Sequence, residues 1–188
     1  MIFLVPILLA AIIVIIFFGG KLGNLLDFTF RHSWLVLVAL GIKILSISGL
    51  YSILGLTENF NPYLRIVSLS LVIIFVLFNI SFRGVPIVGL GLLLNTLVIS
   101  INGGNMPINE SYAHMVFTPS ELVMLKNGLP VDSFILSSSN TKLPFLGDVI
   151  SIPWGGPLLK LFSVGDIVIT LGGIIFISYY LTLRICKN

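Results

Sequence analysis

The chain has 188 residues, 57% of them hydrophobic and 9% charged, with a net charge of +3 at neutral pH. Soluble domains carry about 25% charged residues, so too little polar material is present to cover a water-soluble globule, and a mean hydropathy of +1.14 makes lipid the natural solvent. The ten basic residues are scattered, which argues against nucleic acid as a partner, and two histidines with one cysteine offer too little for a zinc or haem centre, so no cofactor and no metal site is expected.

A membrane-crossing helix needs about 20 mainly apolar residues, because the hydrocarbon core is about 30 Å thick. Five stretches approach that length, which predicts an all-α membrane protein with a single domain over residues 1–188. The first covers residues 2–18 and stops at Gly19-Gly20. It has no basic leader and no small-residue cleavage site, so it reads as a retained helix. The second covers residues 33–54 and carries Lys43 in its middle, where a lysine needs a partner such as Asn79 or Asn95. The third covers residues 64–82, and Phe82-Arg83-Gly84-Val85-Pro86 turns tightly into the fourth, residues 85–101. These two should form an antiparallel hairpin. Gly89 and Gly91 on the fourth helix and Gly172-Gly173 on the fifth, residues 164–185, permit close helix approach. Cys186 beyond it has no partner for an internal disulfide.

Lys21, Arg31, Arg83, Arg184 and Lys187 fall on one side of a five-helix chain, which should be cytoplasmic. The N-terminus is then outside, the C-terminus inside, and the long loop 102–163 outside the cell. The expected location is the cell membrane, with the chain crossing it several times. Within the loop, Thr118-Pro119-Ser120-Glu121 reads as a helix start. Thr118 is the N-cap, Pro119 the first helical residue, and Glu121 closes a capping box. Leu122-Val123-Met124-Leu125 would lay this short helix on the membrane surface, and Gly128 would end it. Residues 131–140 look looser, and 142–161, with Trp154, should lie on or dip into the outer leaflet.

Three polar features interrupt this apolar background. Asn102-Gly103-Gly104-Asn105-Met106-Pro107 ends the fourth helix, and Asn102 and Asn105 could point amides at a substrate. Asp148 stands in an apolar interfacial stretch, where an unpaired charge is costly. Asp166 falls in the first turn of the fifth helix, where Ser163 can cap and the helix dipole favours an acid. Two carboxylates at a partly dry site share one proton, so that one is the base toward water and the other the acid toward a carbonyl. His114, between Tyr112 and Met115 and its neighbours, could assist there.

Phe162-Ser163-Val164-Gly165-Asp166 through Gly172, with Gly147-Asp148-Val149-Ile150 upstream, resembles the closing motifs of lipoprotein signal peptidase (signal peptidase II). That resemblance implies that Asp148 and Asp166 are a catalytic pair acting on a membrane-anchored peptide. The chain departs from that pattern at Ser163 and Ile167, which stand where the motif has asparagine and serine, and in having five helices rather than four. Over nearly its full length the chain resembles an uncharacterised family of bacterial membrane proteins. The shared segments are Gly19-Gly20-Lys21-Leu22 through Leu25, Asn102 through Pro107, Leu146-Gly147-Asp148, and Phe162 through Asp166. This second resemblance implies no activity.

The reading these residues favour is a non-catalytic subunit or scaffold packed against other membrane subunits. The alternative is an intramembrane aspartyl peptidase using Asp148 and Asp166. A small oligomeric transporter, with Lys43 in a hydrated path, is the second alternative.

Overall fold

In the computed structural model, which describes residues 4–26, 29–48, 55, 57, 60–152 and 161–182, the chain is mostly helical. Helix α1 (Leu4–Phe18) is followed by the single turn α2 (Gly23–Leu26), then by α3 (Trp34–Ser48), α4 (Asn61–Phe78) and α5 (Val85–Ile101). A segment of mixed structure comes next: β1 (Met106–Ile108), α6 (Glu110–Ala113), α7 (Pro119–Lys126), β2 (Phe134–Leu136), a 3₁₀ turn (Pro144–Leu146), β3 (Ile150–Ser151) and β4 (Leu161–Phe162). Helix α8 (Val164–Thr182) returns to the bundle.

Helices α4 and α8, of 18 and 19 residues, are long and apolar enough to cross a membrane, and α1, α3 and α5 are apolar but shorter. Only 11% of the apolar window of α4 and 28% of that of α8 is buried inside the protein. The core helix of a soluble protein would be mostly covered. Here most of the apolar surface faces outward, where hydrocarbon can cover it without cost.

Three helix pairs set the bundle. Helix α4 lies antiparallel to α3, with the Ser68 hydroxyl donating to the Ala39 carbonyl at 2.8 Å and Ser46 bonded to Asn61. Helix α8 runs beside α1 in the same direction; Ile7 fills the space over Gly173, and the Lys21 N–H donates to the Leu181 carbonyl at 3.0 Å. Helices α5 and α8 are antiparallel and almost touch. A β-carbon on Gly172 would stand 2.6 Å from the Val88 nitrogen and 2.8 Å from the Gly84 carbonyl oxygen. One placed on Gly165 would stand 2.8 Å from the Gly91 carbonyl oxygen. Small residues let two backbones approach this closely, which maximises packing where no hydrophobic force separates helix from lipid.

Lys21, Arg31 and Arg83 gather at one end of the bundle. The buried Asn79 side chain accepts from the Arg31 N–H and donates to the Arg31 and Phe75 carbonyls, all at 2.8–2.9 Å. The Arg83 guanidinium sits 4.3 Å above the Tyr179 ring. The opposite end carries residues 102–152 and 161–163. They form a small folded unit with its own core of Ile108, Ala113, Phe117, Leu125, Val131 and Leu161. Strand β1 pairs in parallel with β2, with Met106 opposite Phe134. Helix α7 has the expected capping box: Thr118 Oγ1 accepts from the Glu121 N–H, and Glu121 accepts from the Thr118 N–H. Thr118→Ala should cost about 1 kcal/mol, seen as faster amide hydrogen exchange confined to α7.

Several sequence expectations need correction. Four short strands are present where an all-α chain was expected. Helix α4 starts three residues before the expected 64, because Pro62 fits the first turn, and it stops at Phe78, where Asn79 turns its side chain to the Arg31 backbone. Residues 134–136, expected to be loose, form β2. Helix α7 buries Leu125 in the core of its own unit, while Val123 and Met124 remain exposed. Residues 2–3, 49–54 and 183–185 of the expected helices, together with Trp154, Arg184, Cys186 and Lys187, lie outside the described residues.

Candidate functional site

The N-terminus of α8 is built from three polar side chains. The Asp166 N–H donates to Ser163 Oγ at 3.1 Å, and the Ser163 N–H donates to Asp166 Oδ2 at 3.2 Å, a reciprocal cap. Asn95, arriving from α5, closes the ring. Its Nδ2 donates to Asp166 Oδ1 and its Oδ1 accepts from the Ser163 hydroxyl, both at 2.9 Å. Asn95 fits there because Gly165 leaves room: any β-carbon at that position would collide with Asn95 Oδ1. Ser163 is fully buried and Asp166 half-buried.

Asp148 reaches this place by a different route. It lies along the free edge of β1, its N–H donating to the Pro107 carbonyl at 2.8 Å and its carbonyl accepting from the Asn109 N–H at 3.3 Å. Gly147 permits the approach, since a side chain there would strike the Pro107 carbonyl. Two residues later β3 begins. It pairs antiparallel with β4, Ile150 opposite Phe162, and β4 leads directly into Ser163 and α8. The hairpin therefore ties the Asp148 strand to the Asp166 helix. Burial pushes the Asp148 carboxyl up to about 7, and the negative charge of Asp166 adds to the rise.

Asp166 also faces a groove of about 250 Å³ between α1 and α8. Its walls are apolar, among them Val5, Leu9, Ile167 and Leu171. The polar side chains on it are Asp166 and Thr170.

The other residues singled out in the sequence have definite places. The Asn102 amide grips the backbone of Lys142, donating to its carbonyl at 2.9 Å and accepting from its N–H at 3.0 Å, and it also donates to the Val98 carbonyl. Asn105 accepts from Arg65 Nη1 at 2.8 Å, and the same Nη1 reaches the Gly104 carbonyl at 3.2 Å. Both asparagines thus fasten the loops that carry β1 and the Asp148 segment, and neither lines the groove. His114 is exposed at the end of α6. Lys43 is exposed on α3, and its expected partners are engaged elsewhere: Asn79 with Arg31, Asn95 with Ser163 and Asp166. Among the described residues, no cluster of three His, Cys, Asp or Glu side chains could hold a metal ion.

Sequence reasoning missed Asn95 as the residue that meets Asp166, and Arg65 as the clamp on the Gly104-Asn105 turn. An arginine one turn into an apolar helix was the available signal for the second. The first carried none, because only the α5–α8 seam brings residues 95 and 166 together.

No curated protein and no solved structure matches the chain. A family model, described as a family of unknown function, matches residues 27–178. That span contains Asn95, Asn102, Asp148, Ser163 and Asp166, and leaves out the Gly19–Leu25 segment. The chain belongs to this family of unknown function, DUF5317.

Proposed function

We propose that the chain is a five-span membrane protein carrying an aspartyl hydrolase site on its outer face, with Asp148 as the acid and Asp166 as the base. The observation that supports this reading is a buried acid on a segment that the β3–β4 hairpin ties to the helix carrying the second acid. Asp148 is buried at the β1 edge, its carboxyl raised by burial and then by the Asp166 charge, and Asp166 lies beside an apolar groove. The collection of Lys21, Arg31 and Arg83 at the other end supports that end as cytoplasmic and the aspartates as external.

At neutral pH such a pair holds one proton and one negative charge. The Asp166 carboxylate takes a proton from water as the water oxygen bonds to a substrate carbonyl carbon. The Asp148 proton passes to the carbonyl oxygen, giving a neutral tetrahedral diol. When the carbon–nitrogen bond breaks, the nitrogen leaves with the proton held by Asp166, and a diol proton returns to Asp148. Asn95 and Ser163 hold the base in position. Asn102 and Asn105 act one step further out, by fastening the loops around it. Membranes from cells making the wild type should contain new peptide N-termini that are missing when the chain carries Asp148→Asn or Asp166→Asn. Identical N-termini in all three would remove the hydrolase reading.

A second reading, a non-catalytic subunit of a larger membrane complex, is favoured by α3. Its main contact is with α4, and its outward face exposes Leu37, Leu40 and Lys43. A lysine facing outward from an apolar helix is costly unless it is paired or reaches the interface. On this reading a partner of fixed stoichiometry co-purifies with the wild type and is lost with Lys43→Glu. Purification of both chains without a partner removes it.

A further inference from the structure

We infer that the groove between α1 and α8 is a lateral entry for a hydrocarbon chain, so that whatever the site acts on is an amphiphile with its chain between these helices and its polar group at Asp166. That the site acts on this amphiphile rests on the hydrolase reading; the chain-binding groove stands without it.

The chemistry of the walls selects the occupant. The groove offers almost no hydrogen-bonding partner besides the Asp166 carboxylate. Thr170 is the other polar side chain, and its hydroxyl already donates to the Asp166 carbonyl at 2.8 Å. An extended peptide entering here would leave its N–H and C=O groups unpaired, at a cost of several kcal/mol each. A hydrocarbon chain needs no such partners.

The shape gives the direction of entry. Ile7 seated over Gly173, and Gly20 against Val14 and Leu181, hold α1 to α8 on the side away from the aspartates. Nearer Asp166 the walls stand apart. Leu9 and Leu171 are 54% and 52% exposed, so the groove is open along the outward surface of the bundle, where a spanning protein meets lipid. Asp166 keeps acceptor capacity at this opening, because each carboxylate oxygen accepts one N–H and can take a second donor.

The full chain in phosphatidylcholine vesicles, doped with a phosphatidylcholine bearing a diazirine in one acyl chain, tests this. After irradiation, peptide mapping should find Leu9 and Leu171 labelled several-fold more than Leu37 on α3, which is at least as exposed at 69%. Filling the groove with Val5→Trp should bring Leu9 down to the Leu37 level. Equal labelling at all three positions in the wild type would show ordinary boundary lipid and overturn the inference. The wild type itself separates the two ideas: groove labelling without any new peptide N-termini in wild-type membranes leaves the entry groove and removes the hydrolase.

Discussion

The Asp148→Asn chain is expected to melt at a higher temperature than the wild type at pH 8 and, on the hydrolase reading, to lose hydrolysis by about 10²–10⁴-fold. The two effects have one cause. Burial and the Asp166 charge raise the Asp148 carboxyl from an ordinary 3.8 to about 7. A group whose folded value is raised contributes its full stability below the unfolded value and loses it as pH rises through the folded one. The wild type therefore weakens between about pH 4 and pH 7, where the unfolded chain gives up a proton that the folded chain must keep. The total is at most about 4 kcal/mol. Asparagine has nearly the same shape and no charge to bury, so the variant escapes this penalty above pH 7 and gains nothing near pH 4. It also has no proton to give a carbonyl oxygen. Melting curves of both chains in detergent at pH 4 and pH 8 check the stability half. Coincident curves at pH 8 would mean that the Asp148 carboxyl is not held in a dry place.

Gly165→Ala should cost about 3 kcal/mol and take the site with it. A methyl there meets Asn95 Oδ1 and Cγ and the Gly91 carbonyl oxygen, and the backbone oxygen cannot move without separating α5 from α8. Separation would break the Asn95–Asp166 and Asn95–Ser163 hydrogen bonds. Gly173→Ala is the fitting comparison. Its methyl meets only the side chain of Ile7, which can turn away, so the loss should be much smaller. Thermal melts of the two variants in the same detergent decide. Equal losses would show that the glycine seam does not set the α5–α8 distance.

Much of the bundle is legible in the sequence, because long apolar runs and their stop signals are strong. Helix α5 occupies the expected 85–101, with Pro86 in its first turn and the Asn102-Gly103-Gly104 turn after its end. The Thr118–Glu121 box reads directly because both partners lie within four residues. The strands do not, since two or three residues cannot display a period of two. Strand β1 owes its existence to partners 28 positions away in β2 (Met106 to Phe134) and to Asp148, which no local pattern encodes. At the candidate site the acids stand out by being rare in an apolar chain. Asn95 looks like any polar residue on a membrane helix. Lys43 misleads, because a mid-helix charge suggests an inward partner, and the bundle turns that residue outward.

The glycine seam also has a consequence in time. Asp148 and Asn95 are synthesised before Asp166, and nothing in α1 to α5 can take the place of the aspartate at the head of α8. Helix α8 must seat against α5 with backbone facing backbone at Gly84, Gly91, Gly165 and Gly172, and only then do Ser163 and Asp166 meet the waiting amide. The polar ring of Asn95, Ser163 and Asp166 is thus assembled only when α8 arrives. A chain still emerging from the ribosome therefore lacks the Asn95–Asp166 and Asn95–Ser163 hydrogen bonds, and the seating of α8 is the event that forms them.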